Sequence, residues 1–427
     1  MLIGFTFKNF MSFYDENTFS MRSSGDKKFC DLNTFPAVGG DLTKSALVFG
    51  ANASGKTNFI RAMAYMKNIA LADLNLQSKM ISAALPFMFS KDSEQVPSSF
   101  EVAFIANGVQ YEYGFELLGG EVQKEYLYRK ERRKTEVFSR TSPKFEDIKL
   151  SKYMENVKDL VKNTRRNNLF LYWANGGNNE IAMDVCRWFE SIQIFDADDT
   201  RSGLAATISY LEEDKGGKPN VLNLFQKADS TILDFAYELI EDTEHSEFIN
   251  KVFKKSYASQ IPPTKSIDLQ IKRRLYDKGW KPIGNVETGM DFESAGTKKL
   301  FEVVGPIVKA LESGSVVFVD EIDAKLHPML VRFLVMLFNS IDKNPNNAQL
   351  ICNTHNALLL EEDLRRDQIY FVEKNECGVS ELYALTDFKG VRKDSKLLKQ
   401  YLVGAFGATP KLQNYFPVKL REGAACE

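Results

Sequence analysis

The run Gly50-Ala51-Asn52-Ala53-Ser54-Gly55-Lys56-Thr57 fits the spacing G-x-x-x-x-G-K-[ST]. Chemically this is a phosphate cradle. The glycines let successive backbone N–H groups turn toward an anion, and the start of the following helix adds the positive end of its dipole. Lys56 can bridge β- and γ-phosphates, Thr57 can offer its hydroxyl to Mg²⁺, and Asn58 closes the run at the helix start. ATP with Mg²⁺ is the ligand such a loop implies.

Downstream, Val316-Val317-Phe318-Val319 is an apolar run ending in Asp320-Glu321. Carboxylates at the end of a buried strand can divide the work: Asp320 completes a Mg²⁺ shell with Thr57, and Glu321 orients and deprotonates an attacking water. An acidic strand end can also merely cap the next helix, but a phosphate loop in the same chain favours the first reading. His355 follows another short apolar run, Ala348 to Asn353, where a neutral imidazole can hydrogen-bond a γ-phosphate or the water. Lys56, Glu321 and His355 are thus the candidate catalytic groups. Glu293-Ser294-Ala295-Gly296-Thr297 precedes a helical stretch, Lys298 to Leu311, and is either a second anion-binding terminus or a simple N-cap.

The elements that must hold these groups follow from periodicity. Ala46 to Phe49 reads as a strand and Asn58 to Ile69 as a helix, the order a phosphate loop needs. Leu2 to Met21 reads as a strand pair, and Phe100 to Tyr128 as antiparallel strands with a hairpin turn at Asn107-Gly108. From Thr141 to Gln260 the spacing becomes helical, as in Met154, Val157, Leu160, Val161 and in Ile232, Phe235, Ala236, Leu239; strand alternation resumes at Ile267, Leu269, Ile271 after the break Ile261-Pro262-Pro263-Thr264. The expected fold is α/β: a nucleotide-binding lobe with an antiparallel subdomain at 1–140, a helical insertion at 141–262, and a second lobe at 263–427.

Composition narrows the partners. The 427 residues carry 55 Lys+Arg against 57 Asp+Glu, a net charge of −2, so no global positive field draws the chain to DNA or an anionic membrane. The basic clusters Arg129 to Lys134 and Lys162 to Arg166 can touch phosphate backbones or an acidic protein, or be solvated sheet surface. The apolar run Phe333 to Phe338 is far short of the roughly 20 residues that cross a bilayer. Five scattered cysteines suggest a reducing cytoplasm. Asp196-Ala197-Asp198-Asp199 reads as a solvated turn, and His245 and His327 lack companion zinc ligands.

Taken in order, the four motifs resemble an ABC-type P-loop ATPase head of the SMC and RecF kind. That resemblance implies that Ser294, Gly296 and Thr297 form a signature segment clamping ATP across a homo-oligomer interface. It also places Asp323 in the loop after the acidic pair and makes His355 a switch. Asn9-Phe10-x-Ser12-Phe13, Pro97 to Glu101, Leu364 to Ile369, Ser380 to Tyr383 and Tyr401 to Pro410 further resemble the bacterial RloA, AbiL and AriA group of phage-defence ATPases. Membership would imply a regulatory ATPase that controls a separate toxic effector, a TOPRIM-like nuclease, and responds to a phage-encoded trigger protein. The stretch after His355 is too short to hold such a nuclease domain. The competing expectation is a RecF-like DNA-binding ATPase of DNA repair. Gln77 and Gln95 are both open as the glutamine that ABC heads place near the ion.

Overall fold

The alternating aromatics at the start of the chain become one face of a seven-stranded antiparallel sheet in the computed structural model, which describes residues 1–195, 200–214, 216–241, 265–391 and 396–410. Asp196 to Asp199, His245, Ile261 to Thr264 and Cys426 lie outside the described residues. The sheet runs β8 (Ile148–Leu150), β7 (Lys134–Arg140), β6 (Glu121–Lys130), β5 (Val109–Leu118), β4 (Ser98–Ala106), β1 (Leu2–Lys8) and β2 (Asn17–Ser20). Asn107 and Gly108 join β4 to β5 at φ 49° and 75°, the two left-handed residues that a tight hairpin turn requires. Phe5, Phe7, Phe100, Val102, Phe104 and Phe115 face inward and are buried.

A second sheet runs β9 (Gln193–Phe195), β13 (Val316–Val319), β14 (Gln349–Thr354), β3 (Ser45–Phe49), β15 (Ile369–Lys374) and β16 (Ser380–Ala384). Its first five strands are parallel, and β16 closes it as an antiparallel hairpin with β15. Every residue of β3, β13 and β14 is buried. Cover on both faces is why these strands read as unbroken apolar runs rather than alternating ones. Because β14 sits between β13 and β3, the three strand ends that carry the candidate residues emerge side by side.

Between the two sheets runs α1 (Lys56–Leu71). Its Phe59 ring lies 5.1 Å from Phe19 and 6.1 Å from Phe7 of the antiparallel sheet, and 6.3 Å from Phe318 of the parallel one. The helix that begins at the phosphate loop is therefore wedged between the two sheets in one shared core. Further helices are α2 (Leu74–Ser82), α3 (Phe170–Gly176) and α4 (Glu180–Ser191). On the other face of the parallel sheet, α5 (Thr200–Glu213), α6 (Lys218–Phe225), α7 (Ala295–Ser313) and α8 (Pro328–Asn339) share a second core. In α7, Pro306 cannot donate to the Glu302 carbonyl; the Thr207 hydroxyl lies 3.3 Å from that oxygen and 2.8 Å from the Phe301 carbonyl.

Two expectations change. Ile232 to Leu239 is not helical: it lies in strand β10 (Ile232–Glu241), which pairs with β11 (Lys265–Tyr276), itself paired with β12 (Pro282–Gly289). The segment carries both periods, because Phe235, Tyr237 and Leu239 also alternate, and pairing opposite Ile271, Leu269 and Ile267 selects the second. Lys152–Asn163 forms 3₁₀ turns rather than an α-helix. The stretch 141–262 also sends β8 into the antiparallel sheet and β9 into the parallel one.

Candidate functional site

The loop between β3 and α1 is shaped by close approaches that only glycine permits. A Cβ at Gly50 would lie 2.5 Å from the Val372 carbonyl and 2.7 Å from Ser54 Oγ. Gly55 has φ +115°, and a Cβ there would run into the Ser380 hydroxyl and lie 2.8 Å from Ser12 Oγ. Those serines grip the loop. Ser380 Oγ donates to the Ser54 carbonyl at 2.6 Å and lies 2.8 Å from Ser12 Oγ, which accepts from Asn58 Nδ2 at 2.8 Å. The β1–β2 turn and the start of β16 thus converge on the loop from opposite sheets.

Lys56 folds back over its own loop, donating to the Gly50 and Ala51 carbonyls at 2.9 Å each. Burial pulls its ammonium down to about 8, against the opposing pull of Glu321, Asp320 and Asp323. Two backbone carbonyls are a weaker counterpart for that charge than a triphosphate. Thr57 Oγ1 donates to Asp320 Oδ1 at 3.2 Å, which joins the loop to the end of β13. Asn52 to Asn58, Glu321, His355 and Lys374 line one cavity of about 750 Å³. Asp320 stands behind Thr57 at 3% exposure.

Glu321 has φ +45°, a left-handed conformation that costs a residue with a Cβ about 1–3 kcal/mol. It is held there: its N–H donates to Asn353 Oδ1, and its carbonyl accepts from Ala324 N–H at 2.8 Å. Asn353 Nδ2 donates in turn to Asp320 Oδ1. Asp323 accepts the His355 backbone N–H at 3.0 Å, placing the imidazole at the mouth of the cavity. Packing around the ring, and then Lys56, holds His355 below its ordinary value, against Asp323 and Glu321, so the neutral form is favoured. The cap of α8 is His327, which accepts the Met329 N–H at Nδ1, so capping is not what Asp320 and Glu321 do.

Ser294, Gly296 and Thr297 are not in this cavity. Ser294 is the N-cap of α7, accepting the Thr297 N–H at 3.1 Å, and with Arg273 and Phe292 it lines a separate cleft of about 500 Å³. Glycine is needed at 296 because a Cβ would lie 2.7 Å from the Lys325 carbonyl, in the loop that follows the acidic pair. Both Glu293 oxygens accept from the Arg273 guanidinium, Oε1 from Nη1 and Oε2 from Nη2 at 2.8 Å, and Arg273 also meets Asp229 at 2.9 Å. Gln77 is buried, donating to the Ile69 carbonyl and accepting from Leu169 N–H, and neither it nor Gln95 lines the cavity. In the basic cluster, Arg129 pairs with Glu131 and Lys134 with Glu112, each cation also lying over a tyrosine ring.

Asn353, Ser12, Ser380 and Lys374 are the site residues that motif reading missed. Asn353 had a signal, a polar residue ending an apolar run. Ser12 and Ser380 stood in stretches noted only for resemblance. Lys374 had none, because only the pairing of β15 with β3 brings it to the cavity.

The donor set suits a nucleotide with a hard cation. Thr57 and Asp320 place two oxygens together, Lys56 is a buried cation turned onto its own backbone, and Ser54 Oγ is buried without a hydrogen-bond partner. Among the described residues no helix is long and apolar enough to cross a membrane.

Residues 45–361 match the family described as "AAA domain, putative AbiEii toxin, Type IV TA system". No curated protein sequence matches the chain. Solved structures of related shape include an Smc head bound to the C-winged helix domain of ScpA, at 15% identity over 90% of this chain and 97% of that one, with TM-score 0.46. Another is the Smc head domain with an extended coiled coil bound to the C-terminal domain of ScpA derived from Pyrococcus furiosus, at 13% identity over 90% and 96%, with TM-score 0.38.

Proposed function

The chain belongs to the AAA-domain family that matches residues 45–361, and from that premise we propose a regulatory ATPase of anti-phage, abortive-infection defence. It binds ATP between two copies of itself, hydrolyses it, and uses the cycle to hold and release a separate toxic effector. The observation that carries the catalytic half is the 3.2 Å contact of Thr57 with Asp320, made beside the cavity that Lys56, Glu321 and His355 share.

In this reading Lys56 leaves the Gly50 and Ala51 carbonyls for the β- and γ-phosphates, while N–H groups of the loop and the start of α1 receive the remaining charge. Thr57 and Asp320 hold Mg²⁺, which when bound neutralises developing phosphate charge. Glu321 orients a water and takes its proton, and neutral His355 hydrogen-bonds the γ-phosphate or that water. Ser294, Gly296 and Thr297 of a second copy, at the positive end of the 19-residue α7, close the site.

Support for the defence half is the family's toxin–antitoxin description together with the resemblance to the RloA, AbiL and AriA group. Within that group our reading is AriA, the ATPase of the PARIS system. The implied partners are a TOPRIM-like nuclease as effector and a phage protein as trigger, acting in the cytoplasm. The net charge of −2 favours a protein partner over duplex DNA. Co-purification of the neighbouring gene product with wild-type and Glu321→Gln chains tests this, the expected result being a stable companion whose retention depends on nucleotide. No companion in either, with duplex binding that needs ATP and weakens steeply with salt, would replace it by the repair-type reading.

A further inference from the structure

We propose that Asn353 is a positioning residue that sets Glu321 for catalysis; the claim rests on the ATPase reading of the site. Asn353 is fully buried in β14, after Leu350, Ile351 and Cys352, with β13 paired on one side and β3 on the other. An amide buried in an apolar strand is costly unless both its ends are satisfied. Here both are satisfied by the acidic pair itself: Oδ1 accepts the Glu321 N–H, and Nδ2 donates to the Asp320 carboxylate. The Asn353 carbonyl also accepts the Ile322 N–H at 3.2 Å. One residue therefore binds three consecutive residues of the turn.

The orientation of the amide is not arbitrary. A backbone N–H can only donate, so the atom facing Glu321 must be the oxygen, which leaves the NH₂ for a carboxylate that can only accept. The bonded turn is also the strained one, since Glu321 at φ +45° lacks the freedom of glycine. Without Oδ1 the Glu321 N–H loses its acceptor, and the backbone is released toward negative φ, which swings the carboxylate away from the cavity. His355 follows Asn353 by two residues, so the strand end that presents the switch residue also carries the clamp.

The test uses Asn353→Ala, measured for ATP turnover and for ATP binding, and the isosteric Asn353→Asp, with a crystal structure of each variant. Expected are a fall in kcat of tenfold or more for alanine, KM within about threefold of wild type, and Glu321 at negative φ. Asp keeps the acceptor for Glu321 but sets a second carboxylate against Asp320, so it reports on the Glu321 backbone and not on turnover. In a Glu321→Gln background the Asn353→Ala change is expected to cost less than about twofold, because the group it positions has already been removed. Unchanged kcat or an unmoved Glu321 backbone in the alanine variant would overturn the proposal. If wild type shows no turnover the ATPase reading fails, while the structure of the variant still decides whether Asn353 holds the turn. If the alanine variant does not fold, the Asp variant is read instead, and its proposal-breaking result is loss of the left-handed φ at Glu321.

Discussion

The two regions proposed to meet phosphate are built in opposite ways. At the loop and acidic pair the framework is braced from behind, Thr57 by Asp320, the loop by Ser380 and Ser12, and Glu321 by Asn353, with Lys56 the group that must leave its own loop's carbonyls. At Ser294 to Thr297 the bonds close on themselves, Ser294 to Thr297, and Ser294 is exposed at the rim of its own cleft. In the proposed mechanism the first region is the braced part of the site and the second its other half, completed by a second copy. Preorganised donors need no rearrangement at the moment of reaction, so the braced half suits chemistry and the open half suits control of when chemistry happens.

The largest expected effect breaks the braced half. Glu321→Gln should keep ATP binding and lose about 10²–10⁴-fold in turnover, as removal of a general base does. Wild-type turnover in this variant would remove Glu321 from the mechanism.

Next in size is a mixing experiment that sets one half against the other. Lys56→Ala and Ser294→Arg chains should each be inactive alone and recover activity when mixed, because a symmetric interface with two composite sites leaves one intact in the mixed pair. Mixed oligomers with no recovery would mean that each site is contained within one copy.

A smaller effect separates capping from phosphate contact at Ser294. Ser294→Asp keeps an N-cap acceptor for the Thr297 N–H but puts a negative charge where the γ-phosphate of a second copy would sit. It should unfold like wild type yet turn over poorly, whereas Ser294→Ala should lose about 1 kcal/mol of stability through the lost cap. Equal turnover in the Asp variant and wild type would leave Ser294 a cap and nothing more.

The smallest effect is a proton count. Lys56 sits at about 8 through burial, and an arriving triphosphate should push it back up, so ATP binding near pH 8 to 9 should take up a fraction of a proton per site and binding near pH 6.5 should draw none through Lys56. Calorimetry in buffers of differing ionisation enthalpy reads this directly. The stability sign runs with it: below about pH 8 the buried charge weighs against the fold, and stability recovers as pH rises from there toward the ordinary lysine value. Lys56→Met should abolish the extra uptake.

The braced half was mostly legible in the sequence because its chemistry is short-range. Gly50 to Thr57 and Asp320-Glu321 are contiguous, and the strand-to-helix and strand-to-turn contexts can be read around them. What was illegible is the bracing. Ser380 reaches the loop only because β16 pairs with β15, which pairs with β3, and no local pattern encodes that order. Asn353 looked like the polar end of a strand; its meaning depends on β14 lying between β13 and β3. The strand at Ile232 to Glu241 was misread because its apolar residues satisfy two periods, and the partner β11 that decides between them is far along the chain. For Ser294 both sequence readings, cap and anion site, were open, and the fold realises the cap while leaving Ser294 exposed and Thr297 buried.

The central claim, that ATP joins a braced half from one copy to an open half from another, is tested most directly by the solution mass of the Glu321→Gln chain with and without Mg-ATP. One chain weighs 48.5 kDa. The expected result is a shift to twice that mass or more when ATP is added, abolished by Lys56→Ala and by Ser294→Asp. An ATP-saturated protein that stays at the mass of one chain, or an assembly indifferent to nucleotide and to both substitutions, would contradict the account.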